Sequence, residues 1–285
     1  MLNGQGVIRH LLGLYASQDA VIGPLLRALP LNATTRQVLS LSRAEQTGYL
    51  EALWKHNQGG NSAPANVAGS DSVYEPRQLA GLFRRFNQLP CTVSTRVKRA
   101  ALLSGLDPQT ASVLLLGDDD LLSVELCRLG YQHVTVADCD QDLLATIRRE
   151  TAKAPAPPRI IAADFRELPD LGIKADLVVL DPPYTLDGAN SFLRLAVKLA
   201  RPESTIVLMV NKEIMGPAYA GLTAQAKTLG LSLKAHHEGF NAYPIGSMSR
   251  LIMRLAWWHY MGVPLGATSK REIYFYSDCF LFTVS

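Results

Sequence analysis

Five short apolar runs, at 112–116, 133–137, 159–162, 176–180 and 204–210, alternate with segments of helical spacing at 121–129, 140–151, 189–200 and 216–228. Runs this short and this continuously apolar suit strands covered on both faces, and intervening helices supply the cover. The alternation predicts an α/β fold: a doubly wound, mostly parallel sheet flanked by helices. Two further helices are expected at 76–86 and 93–105, and the β-rich run from Tyr274 to Val284 is read as a late antiparallel strand.

The chain of 285 residues has room for one large domain and a small one. Residues 5–55 carry apolar side chains at helical spacing, and Ser42 with Glu45 fits a capping box. The stretch from Asn57 to Ser72, rich in Gly, Ser, Asn and Ala, reads as a linker. The expected division is therefore a small N-terminal helical domain and linker, 1–72, and a main domain, 73–285. The first unit is expected to pack on the second as a lid, or to form a homodimer surface. A net charge of +3 is too mild to argue for nucleic acid, and the basic residues of the N-terminal unit are sparse. No apolar run approaches the roughly 18 residues of a membrane span, and Cys91, Cys127, Cys139 and Cys279 lack metal-type spacing. A cytoplasmic protein with reduced thiols is expected.

The chemistry sits at strand ends. The run 112–116 is followed by Gly117-Asp118-Asp119-Asp120, and the run 176–180 by Asp181-Pro182-Pro183-Tyr184. Three adjacent carboxylates repel one another and serve structure poorly. In a parallel sheet both loops open onto one cleft at the C-terminal strand ends, where ligands bind. An acidic pocket for a cationic ligand is the expectation. Asp138 ends the second strand, about 20 residues after the first loop, where an acid commonly accepts from ribose hydroxyls. Asp140 is the better helix cap. Asp164 and Phe165 follow the third strand and could hold and stack an adenine, or serve as a turn acid and a core ring. The first loop lacks the Gly-x-Gly that lets a backbone approach a pyrophosphate. A phosphate-free nucleoside, S-adenosylmethionine or a derivative, is favoured over a dinucleotide. Asp-Pro-Pro-Tyr at such a strand end occurs in transferases that methylate exocyclic amino groups, where carboxylate and turn carbonyl accept from the substrate NH₂ and the ring stacks on it. Such acceptors aim the amine lone pair at the carbon beside a sulfonium.

Gly117-Asp118-Asp119-Asp120-Leu121 together with Asp181-Pro182-Pro183 resembles the branched-chain polyamine synthases, the bis(aminopropyl)spermidine synthases. Phe86-x-Gln88, Thr92, Thr95, Arg99, Asp138-x-Asp140, Asp164-x-Arg166, Phe240-Asn241-x-Tyr243 and Tyr276-Ser277 fit the same pattern, over roughly 83–285. The resemblance implies a class I methyltransferase-like, Rossmann-like fold and transfer of an aminopropyl group from decarboxylated S-adenosylmethionine to a polyamine amine, without a metal. It implies that Asp119 acts on the acceptor amine. Asn87 stands where the family has Asp, and Arg96 and Lys98 add positive charge. A donor that keeps its carboxylate, or an anionic acceptor, would suit those changes.

The assignment at this level is a transferase moving a 3-aminopropyl or 3-amino-3-carboxypropyl group from decarboxylated or intact S-adenosylmethionine to an amine, releasing methylthioadenosine. Asp119, Asp181 and Tyr184 are the catalytic candidates. Gly117, Asp118, Asp138, Asp164, Phe165 and Gln88 are the donor-binding candidates. Asp120, Asn87, Pro182, Pro183, Asn241 and Tyr243 are the acceptor-binding candidates, and no metal site is expected. The alternatives are an S-adenosylmethionine-dependent N-methyltransferase and a nucleoside-binding regulator with 1–56 as its output module.

Overall fold

The structure is a computed structural model that describes residues 42–58, 89–167, 169–244, 250, 253–254, 257–258, 261–268 and 273–285. Seven strands form one sheet: β1 (Ser112–Leu116), β2 (His133–Asp138), β3 (Arg159–Ala162), β4 (Ala175–Leu180), β5 (Ala200–Val210), β6 (Leu231–Pro244) and β7 (Tyr274–Val284). Their order is β3-β2-β1-β4-β5-β7-β6. The first five pair in parallel, while β7 runs antiparallel to both β5 and β6. The α/β, mostly parallel class I methyltransferase-like sheet is thus present, with the late antiparallel strand at 274–284 as expected.

The helices among the described residues are α1 (Arg43–Gln58), α2 (Val93–Ala101), α3 (Leu122–Arg128), α4 (Gln141–Thr151), α5 (Leu186–Leu199), α6 (Lys212–Met215), α7 (Ala218–Thr228) and α8 (Leu265–Thr268). Alternate residues of β1 face opposite layers. Leu114 and Leu116 join Val178, Leu180, Leu193 and Leu222 on one side, and Val113 and Leu115 join Leu103, Leu126, Val136 and Leu144 on the other. Both faces are dry, which explains the unbroken apolar runs.

Strand β6 was not expected. It lies at the sheet edge with Ser232 to Lys234 and His236 to Glu238 exposed, and two register shifts interrupt its pairing with β7. An edge strand with irregular pairing carries little hydrophobic periodicity. Because β7 reverses direction, β6 runs parallel to β1 and β4, so its last residues reach the same sheet edge as the acidic loops.

Helix α1 starts as read: the Ser42 amide donates to Glu45 Oε2 at 2.6 Å, and the Glu45 amide to Ser42 Oγ at 3.3 Å. Its Tyr49, Leu50 and Leu53 pack with Ile214, Trp257 and Tyr276. The 72/73 boundary and the helix at 76–86 lie outside the described residues. Among the described residues no helix is long and apolar enough to cross a membrane.

Candidate active site

The first loop turns tightly. Gly117 has φ +77°, open to glycine at little cost, and Leu121 has φ +56°, which a leucine adopts only under constraint. Asp118 supplies that constraint. Its carboxylate accepts from the Leu122 amide at 2.7 Å, from the Ser123 amide at 3.2 Å and from the Ser123 hydroxyl, capping α3, whose Leu121 cap position has no side-chain acceptor. Burial nevertheless pushes Asp118 up to about 7 against those donors. The expectation that Asp118 binds the donor gives way to a capping role: its oxygens are spent on the backbone.

Asp119 is left at the loop apex, half-buried. Burial, then Asp120 and Asp181, raise its carboxyl well above the usual range, and Arg99 opposes them. A carboxylate so placed binds a proton more tightly than an ordinary aspartate, which suits it to exchange one with a substrate.

Arg99 was noted only within the resemblance and carries more than that reading gave it. Its guanidinium pairs with Asp120, donates to Asp181 Oδ2 at 2.9 Å and to the Tyr243 hydroxyl at 3.0 Å, and its Nε donates to Asn241 Oδ1 at 2.8 Å. Helix α2 aims it there. Thr92 caps α2 by accepting from the Thr95 amide at 3.1 Å, the Thr92 amide donates to the Ala242 carbonyl at 2.9 Å, and the Ala242 amide donates to Thr95 Oγ1 at 3.0 Å. Thr92, Thr95, Arg96 and Arg99 lie on one buried face at helical spacing. That polar stripe in an otherwise ordinary helix was the available sequence signal.

Asp120 and Asn241 were expected to touch acceptor. Asp120 is 5 % exposed, bound to Arg99 and to the Cys91 amide. Asn241 is fully buried, with Nδ2 donating to Ser277 Oγ at 2.9 Å. Both hold Arg99 rather than face the cleft. The uniformly acidic pocket is therefore corrected: a buried cation offsets Asp120 and Asp181. Lys98 is exposed, away from the buried stripe.

Asp181 follows β4, next to β1. Its Oδ2 accepts from the Tyr243 hydroxyl at 2.6 Å, and its Oδ1 from the Tyr184 hydroxyl at 3.4 Å. Burial raises Asp181, with Arg99 the chief opposing influence. Burial and Asp181 push both Tyr184 and Tyr243 well above the ordinary phenol, so both stay protonated donors. Pro182 is buried and Pro183 partly so, and the Pro183 carbonyl accepts from the Thr185 amide at 2.8 Å. Thr185 then caps α5 by accepting from the Gly188 amide.

Asp138 ends β2 beside β1. It is 4 % exposed, accepts from the Asp140 amide at 2.7 Å, and burial raises it to about 6. Asp140 caps α4 as expected, accepting from the Asp142 amide at 3.0 Å. A methyl group at Gly117 would sit 3.7 Å from Asp138 Oδ2 and 3.8 Å from Phe192, so that glycine keeps the space beside Asp138 open. Asp164 pairs with its own neighbour Arg166, whose hydrogen bonds hold it at about 2. Phe165 is core: 7 % exposed, edge-on to Phe192 at 4.8 Å. Phe192, partly buried, lies nearer Gly117 and was missed, because one aromatic inside an amphipathic helix carries no sequence mark. Asn87 and Gln88 lie outside the described residues. Among the described residues, no group of three or more His, Cys, Asp or Glu is arranged to hold a metal ion.

Residues 80–209 match the family model for the branched-chain polyamine synthase A C-terminal domain. The chain is 34% identical over 114 residues to the N(4)-bis(aminopropyl)spermidine synthase of Thermococcus kodakarensis, covering 38% of this chain and 32% of that protein. It is 32% identical over 121 residues to an uncharacterized protein of Methanocaldococcus jannaschii, covering 41% and 31%. The chain thus spans about a third of the length of these curated relatives. The branched-chain polyamine synthase of Thermus thermophilus, solved with N4-aminopropylspermidine and 5'-methylthioadenosine, superposes with a TM-score of 0.56 at 18% identity, over 82% of this chain and 64% of that one. At that identity the likeness speaks for the fold. Taken with the acidic loop and the Asp-Pro-Pro-Tyr turn at adjacent strand ends, these matches make residues 80–209 of the chain similar to the branched-chain polyamine synthases.

Proposed function

We propose that this chain transfers an aminopropyl-type group from a nucleoside sulfonium donor to the nitrogen of a small amine acceptor, releasing methylthioadenosine. The observation that carries the reading is Asp119: a half-buried carboxylate with a raised pKa, at the apex of a constrained loop, across the β1–β4 junction from Asp181 and Tyr184. The likeness of residues 80–209 to the branched-chain polyamine synthases supports the reaction class. The relative's complex with a branched polyamine and methylthioadenosine supports both the nucleoside product and a polyamine acceptor.

Asp138 accepts from the ribose hydroxyls, and the adenine lies toward Phe192. The acceptor's N–H bonds meet Asp119 and Asp181, while Tyr184 flanks the nitrogen. As the nitrogen attacks the carbon bound to sulfur, the C–S pair stays on sulfur and the amine loses one proton to Asp119. Helix α1 packs on this domain through Tyr49, Leu50 and Leu53.

Asp119→Asn should lower turnover about 10²- to 10⁴-fold and leave methylthioadenosine affinity nearly unchanged. In the parent protein kcat/KM should rise with pH through an apparent pKa above the ordinary aspartate range, because the base must be deprotonated. The variant should lose that limb. Turnover within a few-fold of the parent would remove Asp119 from the chemistry.

A further inference from the structure

Helix α2 sends two buried arginines toward the acidic loop, one turn apart, and they are differently satisfied. Arg99 is held by two carboxylates, a phenol and an amide. Arg96 is 6 % exposed, donates one long hydrogen bond of 3.4 Å to the Asp120 carbonyl, and its Nε has no partner. Among the described residues no carboxylate pairs with it. A desolvated guanidinium without a counter-charge is costly to keep. Its place against the loop that presents Asp119 makes an anionic ligand group the natural complement, because a carboxylate matches the guanidinium fork.

We infer that Arg96 receives the α-carboxylate of the donor's amino-acid tail, so that the group transferred is 3-amino-3-carboxypropyl and the donor is intact S-adenosylmethionine. The inference rests on the proposed transfer reaction. The tail's carboxylate meets Arg96, while Asp119 and Asp181 stay with the acceptor nitrogen. The acceptor nitrogen attacks the tail carbon bound to sulfur, a C–N bond forms, and the C–S bond breaks with its electron pair left on sulfur as methylthioadenosine. The proton lost by the amine goes to Asp119. Arg99 cannot substitute for Arg96, because Asp120 and Asp181 already offset its charge.

Two nucleosides isolate the carboxylate contact in the full-length chain: S-adenosylhomocysteine carries the amino-acid tail, and methylthioadenosine has none. Calorimetric titration should show that Arg96→Gln weakens S-adenosylhomocysteine about 10- to 100-fold while methylthioadenosine changes less than about threefold. Arg96→Lys should recover part of the loss. Equal weakening of both ligands would assign Arg96 a structural role. An unchanged S-adenosylhomocysteine affinity, or a parent protein that binds methylthioadenosine alone, would place no carboxylate at Arg96. A changed acceptor KM with unchanged nucleoside affinities would move the anion to the acceptor. Each of these overturns the inference. Should the variants fail to fold, competition between the two donors on the parent protein decides: an acceptor product bearing the extra carboxyl supports the inference, and a purely aminopropyl product overturns it. Absence of transfer from either donor would sink the reaction itself, while the titrations would still judge Arg96.

Discussion

At the scale of single residues, adjacent aspartates do different work because their surroundings differ. Asp118 caps a helix, Asp119 stands at the loop apex and Asp120 neutralises an arginine. The sequence shows three equal carboxylates, and nothing in their spacing separates them. The separation comes from the backbone turn between φ +77° at Gly117 and +56° at Leu121, which is a tertiary property. Asp138 and Asp140 were separable in sequence, because a residue directly before a helical run is a cap by local chemistry alone. Asp138→Ala should weaken methylthioadenosine about 10- to 100-fold, as ribose hydroxyls lose a charged acceptor. Calorimetry checks this, and an unchanged Kd would make Asp138 a turn residue. Asp118 makes a pH prediction about stability. Its folded value of about 7 exceeds the ordinary 3.8, so the native state holds the proton more tightly than the unfolded chain. The stabilisation is fully present below about pH 4 and is lost as pH rises through about 7, a change of up to about 4 kcal/mol. Asp138, at about 6, acts in the same direction. Urea unfolding from pH 4 to 8 should show stability falling, with a smaller fall in Asp118→Asn. An identical pH dependence in the variant would contradict the assignment.

At the scale of elements, the strands and helices that build the cleft were legible because period-2 and period-3.6 patterns are local. Strand β6 was not, and with it went the clamp on α2. Asn241 and Tyr243 stood out only as a motif, whereas their function is to tie β6 through Arg99 to both acidic loops. A contact spanning 142 residues leaves no local pattern. Arg99→Met should therefore destabilise the fold by about 3–5 kcal/mol, because it strands Asp120 and Asp181 without their cation. Denaturant titration measures it. A loss under about 1 kcal/mol would show that the arginine is replaceable and that the loops hold their shape unaided.

At the scale of the whole molecule, the order β3-β2-β1-β4-β5-β7-β6 brings the ends of β1 to β6 to one edge and sets the switch point between β1 and β4. Asp119 and Asp181 flank that point, Asp138 extends it on one side and Tyr243 on the other. Alternation in the sequence predicted the cleft, but its charge was misjudged, since a buried arginine on a preceding helix offsets two of its acids. The account stands on one chemical claim, that the bond broken is between sulfur and the propyl carbon. Its most direct test is to incubate the chain with S-adenosylmethionine and with its decarboxylated form, each with a panel of polyamine acceptors, and identify the nucleoside released by mass spectrometry. The account predicts methylthioadenosine in step with an alkylated acceptor. S-adenosylhomocysteine with a methylated acceptor would contradict it.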